Sequence, residues 1–329
     1  MGSTTMTLAQ LSLTGAQNLN PQGLLALEVM RRTTLDQFTG ELPAKPISGV
    51  NNVFRRRGSE TILQVNNRAI GTSSAITEGY ATANIVTDTC GRVIGQPSMD
   101  TIVEAAHNLV NPWVDQVNAY IPVLQDKIAN NIINGSGSDG QMSGLKKIAN
   151  AIGSTQQYTP NATTTGNNIQ FVHLDKLALR VRGARKAFIM NPNLAIDLKQ
   201  LGTSLGGVTW GSVMVPYASV NADGYVEIQQ RSVQAFNGIP IFESEWMTTE
   251  TTCGKSGKYR IFCISLDEGT GVELFYPNTL PALGLQVYQP EVKESYPEKF
   301  MRFEWIAGIS ARGPQSIAQG FNFKLTYAS

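Results

Sequence analysis

One segment of the chain matches the pattern that places a nucleophilic serine in many hydrolases. Residues 202–206 read GTSLG, which fits G-x-S-x-G with Ser204 as the candidate nucleophile. In those enzymes the serine lies on a sharp turn between a preceding strand and a following helix. Here residues spaced as on a helix precede the motif, and the strand-like residues 208–210 follow it. Because this order is the reverse of the one that the chemistry requires, we assign Ser204 no catalytic role.

Other residues that support catalysis or metal binding are few and widely separated. The chain has two histidines, His107 and His173, and three cysteines without C-x-x-C spacing or a zinc-binding pattern. Residues 254–256, GKS, resemble the end of a phosphate-binding loop, but the upstream glycine of that motif is missing. We therefore predict no catalytic residue, no metal site and no cofactor, and we expect that the protein is not an enzyme.

The composition indicates a chain that depends on packing and backbone pairing. Its 329 residues are 42% hydrophobic and 16% charged, with a formal net charge of +1. A protein whose main task is nucleic-acid binding usually carries a clear basic excess. No segment approaches the roughly 20 apolar residues of a membrane span, and no signal-peptide pattern opens the sequence. The unpaired cysteine spacing fits free thiols, so we expect a soluble intracellular product.

A long helix after residue 111 is the element around which we arrange the rest. Asn111 can cap it, Pro112 is tolerated in its first turn, and Gly135 should end it before a Gly/Ser-rich loop. Apolar residues then recur at the three- and four-residue spacing of one helix face. They are Trp113, Val117, Tyr120, Ile121, Leu124, Ile128 and Ile132.

Residues 47–98, which precede this helix, have the composition of strands. ETILQV at 60–65, NIVTD at 84–88 and GRVIG at 91–95 are alternating or β-branched runs, and a Gly/Ser/Thr-rich stretch separates the first two. We predict a long antiparallel hairpin with a loose tip. A free two-stranded hairpin is marginally stable in water, so it needs a partner surface. Residues 98–110 should form a short helix that leads into the long one.

The second half of the chain is predicted to alternate short helices with buried strands. Residues 145–168 should be loop-like, because they are among the most polar in the chain. Leu174, Leu177 and Val181 indicate a helix, the apolar run AFIM at 187–190 a strand, and the segment from Asn191 to Gly202 a second helix. Further strands are expected at 213–217, 225–229, 259–266, 300–312 and 321–325.

Four of these segments, in this order, resemble the major capsid proteins of tailed bacteriophages. They are the long helix with its Gly/Ser loop, the run AFIMNPNLAIDLKQLG at 187–202, the pattern GIPIFES at 238–244, and the closing strands after residue 258. In addition, AITEG at 75–79 is similar to a short A-x-x-E-G signature in the extended loop of that family. The resemblance covers nearly the whole chain, from Pro21 to Leu325.

The resemblance implies an α+β subunit of the phage major-capsid type, with an N-terminal arm, an extended E-loop hairpin, a P-domain containing a long spine helix, and an A-domain. Copies would form the pentamers and hexamers of an icosahedral shell around double-stranded DNA, which is bound without sequence specificity. Such a subunit lies in the virion capsid after assembly in the host cytoplasm. Portal, scaffold and decoration proteins are candidate further partners, and no membrane partner is expected. The implied domains are the arm at 1–46, the E-loop hairpin at 47–98, the P-domain with the spine helix at 99–144, the A-domain at 145–288, and the closing P-domain strands at 289–329.

The resemblance also gives the hairpin a role between subunits. Some family members link their shells covalently through a lysine of this loop, but here no lysine lies between Lys45 and Lys127. The arginines of the hairpin stay protonated and cannot replace it as a nucleophile, so we predict a non-covalent shell. Taken alone, the arginine run fits a solvated face as well as an intersubunit contact. The expected intersubunit contact residues are Arg55, Arg56, Arg57, Arg68 and Glu78.

Two other classes of protein stay open on the sequence. Encapsulins are nanocompartment shells with a related subunit fold and an enzyme as cargo, and the four motifs do not separate them well from phage capsids. The long hairpin and the polar N-terminal tail favour the viral shell. An intracellular α/β enzyme is supported only by the helix–strand–helix run at 174–201.

Overall fold

The computed structural model contains four helices and sixteen strands in its described residues, which confirms the predicted α+β class. These residues are 38, 41–60, 81–101, 112–160, 166–204, 210–220, 226–249, 258–280, 285–292 and 297–326. The helices are α1 Pro112–Asn134, α2 Leu145–Ile152, α3 Phe171–Arg180 and α4 Pro192–Ser204. The strands are β1 Ala44–Ile47, β2 Asn51–Glu60, β3 Ala81–Thr89, β4 Gly91–Gly95, β5 Ser98–Asp100, β6 Gln157–Tyr158, β7 Asn167–Asn168, β8 Lys186–Met190, β9 Trp210–Val220, β10 Val226–Phe236, β11 Ile239–Glu243, β12 Tyr259–Ser265, β13 Val272–Pro277, β14 Leu285–Val292, β15 Glu298–Ala311 and β16 Ile317–Lys324.

The first sheet has six strands and is built on β15, the longest strand described. Its order is β1-β13-β15-β14, and β4 and β5 also pair with β15. The strand at 91–95 was expected in the hairpin, but it hydrogen-bonds to β15 with Val93 opposite Trp305. The predicted helix at 98–110 is also wrong at its start, because Ser98–Asp100 is a strand on β15. Residues 102–110 lie outside the described part.

Helix α1 packs on this sheet through the apolar face that its spacing predicted. Leu124, Ile128 and Ile132 are buried, and the ring of Tyr120 stacks on Phe303 with a centroid distance of 6.4 Å. The helix ends at Asn134, as expected. A Cβ at Gly135 would lie 2.3 Å from the carbonyl oxygen of Met142, so only glycine permits the loop to fold back this closely.

The segment after this loop is more ordered than its polarity suggested. Residues 145–152 form α2, which buries Leu145, Ile148 and Ala149. This is the three- and four-residue spacing of a helix face, and the polar run that follows hid the short helix in the sequence. The expectation of a loop throughout 145–168 is therefore wrong for α2, β6 and β7.

The second sheet has eight strands, and its strand β8 is covered on both faces. Its order is β6-β16-β12-β8-β11-β10-β9, with β7 also paired to β16. Along β8, Ala187 and Ile189 enter a first core between the two sheets, whereas Phe188 and Met190 enter a second core under α3 and α4. Burial on both faces explains why the run at 187–190 is apolar at every position. Between β10 and β11, Asn237 and Gly238 have φ values of 49° and 77°, as a type I′ hairpin turn requires.

The closing strands divide between the two sheets. β13, β14 and β15 belong to the first sheet, whereas β16 pairs with β12 in the second. The last strand therefore belongs to a different sheet from β13, β14 and β15. The domain boundaries implied by the resemblance stay predictions.

The remaining pair of strands, β2 and β3, forms a separate antiparallel hairpin. The predicted strand at 84–88 lies within β3, whereas β2 covers 51–60 and the predicted strand at 60–65 lies outside the described part after its first residue. The register of the hairpin places Asn52 opposite Asp88 and Phe54 opposite Val86. Residues 61–80, between the two strands, lie outside the described part of the chain. We call residues 51–56 and 85–90 the hairpin root.

Candidate assembly surfaces

The hairpin root has one face on the subunit and one face in solvent. Asn52 and Phe54 are buried and Arg56 is half-buried, whereas Val53 is 61% exposed and Ile85 is 72% exposed. Side chains alternate between the two faces of a strand, so this pattern is that of a half-covered two-stranded ribbon. The inward face anchors the hairpin, and the outward face is free for contact.

Hydrogen bonds attach the inward face to the end of β15. The amide nitrogen of Asn52 donates to the hydroxyl of Ser310 at 3.2 Å. Nε of Arg56 donates to the carbonyl oxygen of Ala311 at 3.1 Å. A buried polar side chain needs such partners, since an unmet donor costs the full desolvation of the group. Both bonds therefore help to fix the position from which the hairpin leaves the subunit.

An aromatic ring between two arginines completes this attachment. The guanidinium carbon of Arg312 lies 4.8 Å from the centroid of the Phe54 ring, and that of Arg56 lies 5.7 Å from it. Nε of Arg312 in turn donates to the carboxylate of Glu273 at 2.9 Å, and the Glu273 side chain is almost fully buried. Cation–π contacts of this kind are worth about 0.5–2 kcal/mol each. Arg56 belongs to the hairpin itself, whereas Arg312 follows β15, so the Arg312 contact ties the ring to the rest of the chain.

Asp88 is the least satisfied group of the hairpin root. Its Oδ2 is buried and has no hydrogen-bond partner within the described part of the structure. Burial raises the pKa of the Asp88 carboxyl, while Arg56, Arg312 and Lys147 act in the opposite direction. These three cations come from β2, from the residue after β15 and from α2. Burial therefore disfavours the charged form of this carboxyl, although three cations favour it.

The base of the N-terminal arm is also tied to the subunit. Phe38 and Leu42 are fully buried, and β1 pairs in parallel with β13. The carboxylate of Glu41 lies 3.6 Å from the guanidinium of Arg185, and burial raises its pKa. Glu41 and Arg185 line a cavity of about 300 Å³ beside Met214 and other residues of the second sheet. The polar groups here are already paired, so we assign this cavity no ligand.

The structure separates the five residues that the sequence singled out. Arg55 lies on the outward face and is exposed, whereas the described contacts of Arg56 are with its own subunit. Arg57 belongs to β2, but its side chain is outside the described part. Arg68 and Glu78 are outside it altogether. The role between subunits stays a prediction for all five, and Arg55 is the one whose described position suits it.

Four residues that form or contact the hairpin root were not expected from the sequence: Phe54, Asp88, Glu273 and Arg312. One signal for Phe54 was present, because Asn52, Phe54 and Arg56 alternate with Val53 and Arg55 as the inward face of a strand does. Glu273 and Arg312 reach the root only through the pairing of β13 with β15. Such a contact between distant parts of the chain leaves no local pattern.

The residues that were considered for catalysis lie in ordinary structural surroundings. GTSLG begins inside α4, so the strand before Ser204 that a nucleophile elbow needs is replaced by a helix. His173 is buried, and its Nδ1 accepts a hydrogen bond from the backbone nitrogen of Gln170 at 3.2 Å. Cys90 and Cys263 are free thiols, as expected, and burial raises the pKa of each to about 12.

The described residues contain no candidate metal site and no candidate membrane-spanning helix. No group of three or more His, Cys, Asp or Glu side chains there is placed to hold a metal ion. None of the helices in that part of the chain combines the length and apolarity that crossing a membrane requires.

Comparison with known proteins gives matches in structure. No protein-family model matches the sequence, and no curated protein matches it. The encapsulin of the holo-SrpI complex from Synechococcus elongatus PCC 7942 superposes with a TM-score of 0.61 at 16% identity, over 100% of this chain and 95% of that one. The capsid of a native GTA particle gives 0.57 at 13% identity, over 88% and 91%. A chain from Microbacterium phage Oxtober96 gives 0.51 at 10% identity, over 86% and 89%.

These matches define the fold. The chain has the HK97-like capsid fold, which phage capsids and encapsulins share. The capsid-type fold predicted from the sequence is confirmed. The run at 174–201, which had supported an α/β enzyme, forms α3, β8 and α4 of this fold.

Proposed function

We propose that the chain is the major subunit of an icosahedral shell, whose copies form pentamers and hexamers around double-stranded DNA. The observation that carries this proposal is the similarity of nearly the whole chain to the subunits of an encapsulin and of a GTA capsid. Because the identities are low, the similarity concerns the fold, and the function is inferred from it. The further support comes from the hairpin.

The hairpin root supplies a physical reason for assembly. Its outward face exposes Val53 and Ile85 to solvent, on either side of Arg55. A two-stranded ribbon is stable only with a surface to pack on, and the subunit covers only one of its faces. A neighbouring copy that covers the other face gains apolar burial. Many such contacts in one particle make weak subunit pairs into a stable shell.

The proposed location is the virion capsid, after assembly in the cytoplasm of the host. The net charge of the chain is +1, so small cations must balance most of the DNA charge, and the shell acts as a container. DNA is held without sequence specificity. Portal, scaffold and decoration proteins are further partners in this proposal, and the subunit itself has no catalytic residue and no cofactor. Its contacts between copies include Arg55, Arg56, Arg57, Arg68 and Glu78.

A second candidate is a nanocompartment that encloses an enzyme. The observation in its favour is the encapsulin similarity, which covers 100% of this chain with a TM-score of 0.61. Both candidate functions require a shell of this subunit, and they differ in what the shell encloses. Particles purified from the natural source should be treated with nuclease and then opened. Protected double-stranded DNA supports the viral shell, whereas a folded protein cargo without DNA supports the nanocompartment.

Assembly itself is tested on the purified full-length chain. Light scattering and negative-stain microscopy over a wide range of salt and protein concentration should show large hollow particles. A chain that stays monomeric under all of these conditions contradicts both candidates.

A further inference from the structure

Helix α3 exposes apolar side chains that its own subunit leaves uncovered. Leu179 is 84% exposed, and Val172, seven residues earlier on the same helix face, is 47% exposed. The opposite face of α3 buries Leu174 and Leu177 in the second core. The helix is therefore firmly seated, and its outer face presents an apolar strip to solvent.

Two cations are held in place beside this strip. Nζ of Lys176 lies 5.6 Å from the ring centroid of Tyr158, and the guanidinium carbon of Arg180 lies 5.2 Å from it. Among the described residues neither cation forms an ion pair. We call Val172, Lys176, Leu179 and Arg180 the α3 surface. Its chemistry fits a partner that presents a carboxylate next to a large apolar side chain.

A loop with that chemistry follows β11 in the same chain. Glu245 is exposed and the next residue, Trp246, is half-buried. The backbone nitrogen of Trp246 donates to the hydroxyl of Ser244 at 3.3 Å, and its carbonyl oxygen accepts from the amide of Asn134 at 3.0 Å. The loop is thus fixed to the body of the subunit before any partner arrives.

The loop and the α3 surface belong to opposite faces of the second sheet. Trp246 packs against the first core, whereas α3 packs against the second. Within one subunit the two surfaces therefore face away from each other. Between two copies they form a head-to-tail contact, and such contacts close into rings when the rotation between copies permits.

We propose that the α3 surface of one subunit binds the Glu245–Trp246 loop of the next copy around a ring. In this contact Lys176 pairs with Glu245, and Leu179 packs on the indole of Trp246. The inference rests on the proposed function, because pentamers and hexamers require one surface of the subunit to bind a different surface of its neighbour. It assigns that ring contact to two sites that the chain itself supplies.

A charge exchange tests the pairing. Lys176→Glu and Glu245→Lys should each lower the yield of particles by about tenfold at equal protein concentration, since each places like charges opposite one another. The double variant, which carries both changes, should recover most of the wild-type yield. Circular dichroism melting of the subunit should be unchanged in Glu245→Lys, because that side chain is exposed and makes no described contact.

A second pair of variants tests the apolar part without altering the fold. Leu179→Asp should abolish particle formation, while Val292→Asp, a matched change of an apolar residue that is 59% exposed on β14, should leave it intact. The inference is overturned if Leu179→Asp assembles like wild type, or if the double charge variant assembles no better than the single ones. Wild-type protein that forms no particles at all would instead contradict the proposed function.

Discussion

The guanidinium of Arg312 lies over the ring of Phe54, at 4.8 Å from the ring centroid. Arg312 follows β15 and is held by the buried carboxylate of Glu273, whereas Phe54 belongs to the hairpin. The contact therefore joins the projecting element to the first sheet of the subunit. It fixes the direction in which the hairpin leaves, and it leaves the outward face of the root free.

Loss of the Phe54 ring should detach the hairpin root. Phe54→Ala removes a buried ring and two cation–π contacts, so we expect the free energy of unfolding to fall by about 3 kcal/mol. Hydrogen exchange of the β2 and β3 amides should accelerate more than exchange in the second sheet. Val53→Ala, on the exposed face, is the control and should cost only about 0.5 kcal/mol. Equal costs for the two variants would show that the root is not anchored through Phe54.

Neighbouring arginines of β2 should have separable effects. Arg56→Ala removes the hydrogen bond to the carbonyl of Ala311, so it should lower the melting temperature of the subunit. Arg55→Ala changes an exposed side chain on the outward face, so it should weaken particle assembly and leave subunit melting unchanged. Light scattering and calorimetry on the same samples measure both effects. If Arg55→Ala lowers melting and spares assembly, its role between subunits is wrong.

The ionised carboxylate of Asp88 should destabilise the folded chain at neutral pH. Burial raises the pKa of its carboxyl in the folded chain above the value of about 3.9 in an unfolded one. The folded state then binds the proton more tightly, so the contribution of this group is present at low pH and is lost as the pH rises through the raised pKa. The melting temperature of Asp88→Asn, relative to wild type, should therefore rise between about pH 4 and pH 7.

The control for this prediction is Asp126→Asn, a change at an exposed position on α1. The change with pH of Asp88→Asn should be larger than that of this exposed variant. If the melting temperature of Asp88→Asn instead falls relative to wild type over this pH range, attraction to Arg56, Arg312 and Lys147 outweighs the cost of burial. The assignment of Asp88 as an unfavourably buried charge would then fail.

The shell should contain no covalent links between subunits. The chain has no lysine between Lys45 and Lys127, and arginine cannot serve as the nucleophile in an isopeptide bond. Lys45 itself lies on β1, which pairs with β13 of its own subunit. Particles boiled in detergent with a reductant should run as one monomer band. A ladder of oligomers that survives this treatment would contradict the prediction.

Local sequence patterns were sufficient to predict the elements whose apolar residues follow one clear spacing. The apolar spacing of α1 predicted the helix and its end, and the apolar run at 187–190 followed by Asn191 predicted β8 and α4. The pairing of β4 with β15 was not predicted. The β-branched residues of GRVIG indicate a strand, but they do not identify the strand with which it pairs. The sheet to which β16 belongs was not predicted, because the pattern of a strand does not identify the strand with which it pairs.

The candidate surfaces were predictable to a smaller extent. The arginine run drew attention to the hairpin, and alternation along β2 separates Arg55 on the outward face from Arg56 on the inward face. The charges that meet Asp88 come from three separate elements, so only the folded chain brings them together. The exposure of Leu179 was equally hidden, because its neighbours on α3 show an ordinary amphipathic pattern.

Negative-stain microscopy of the purified wild-type protein shows whether this chain builds a closed shell. We expect uniform hollow particles with icosahedral outlines, accompanied by ring-shaped capsomers when assembly is incomplete. Scattering from the same sample should indicate a mass many times the 35.7 kDa of one chain. A field without particles, together with a scattering mass of one subunit at every salt and protein concentration tried, would contradict the account.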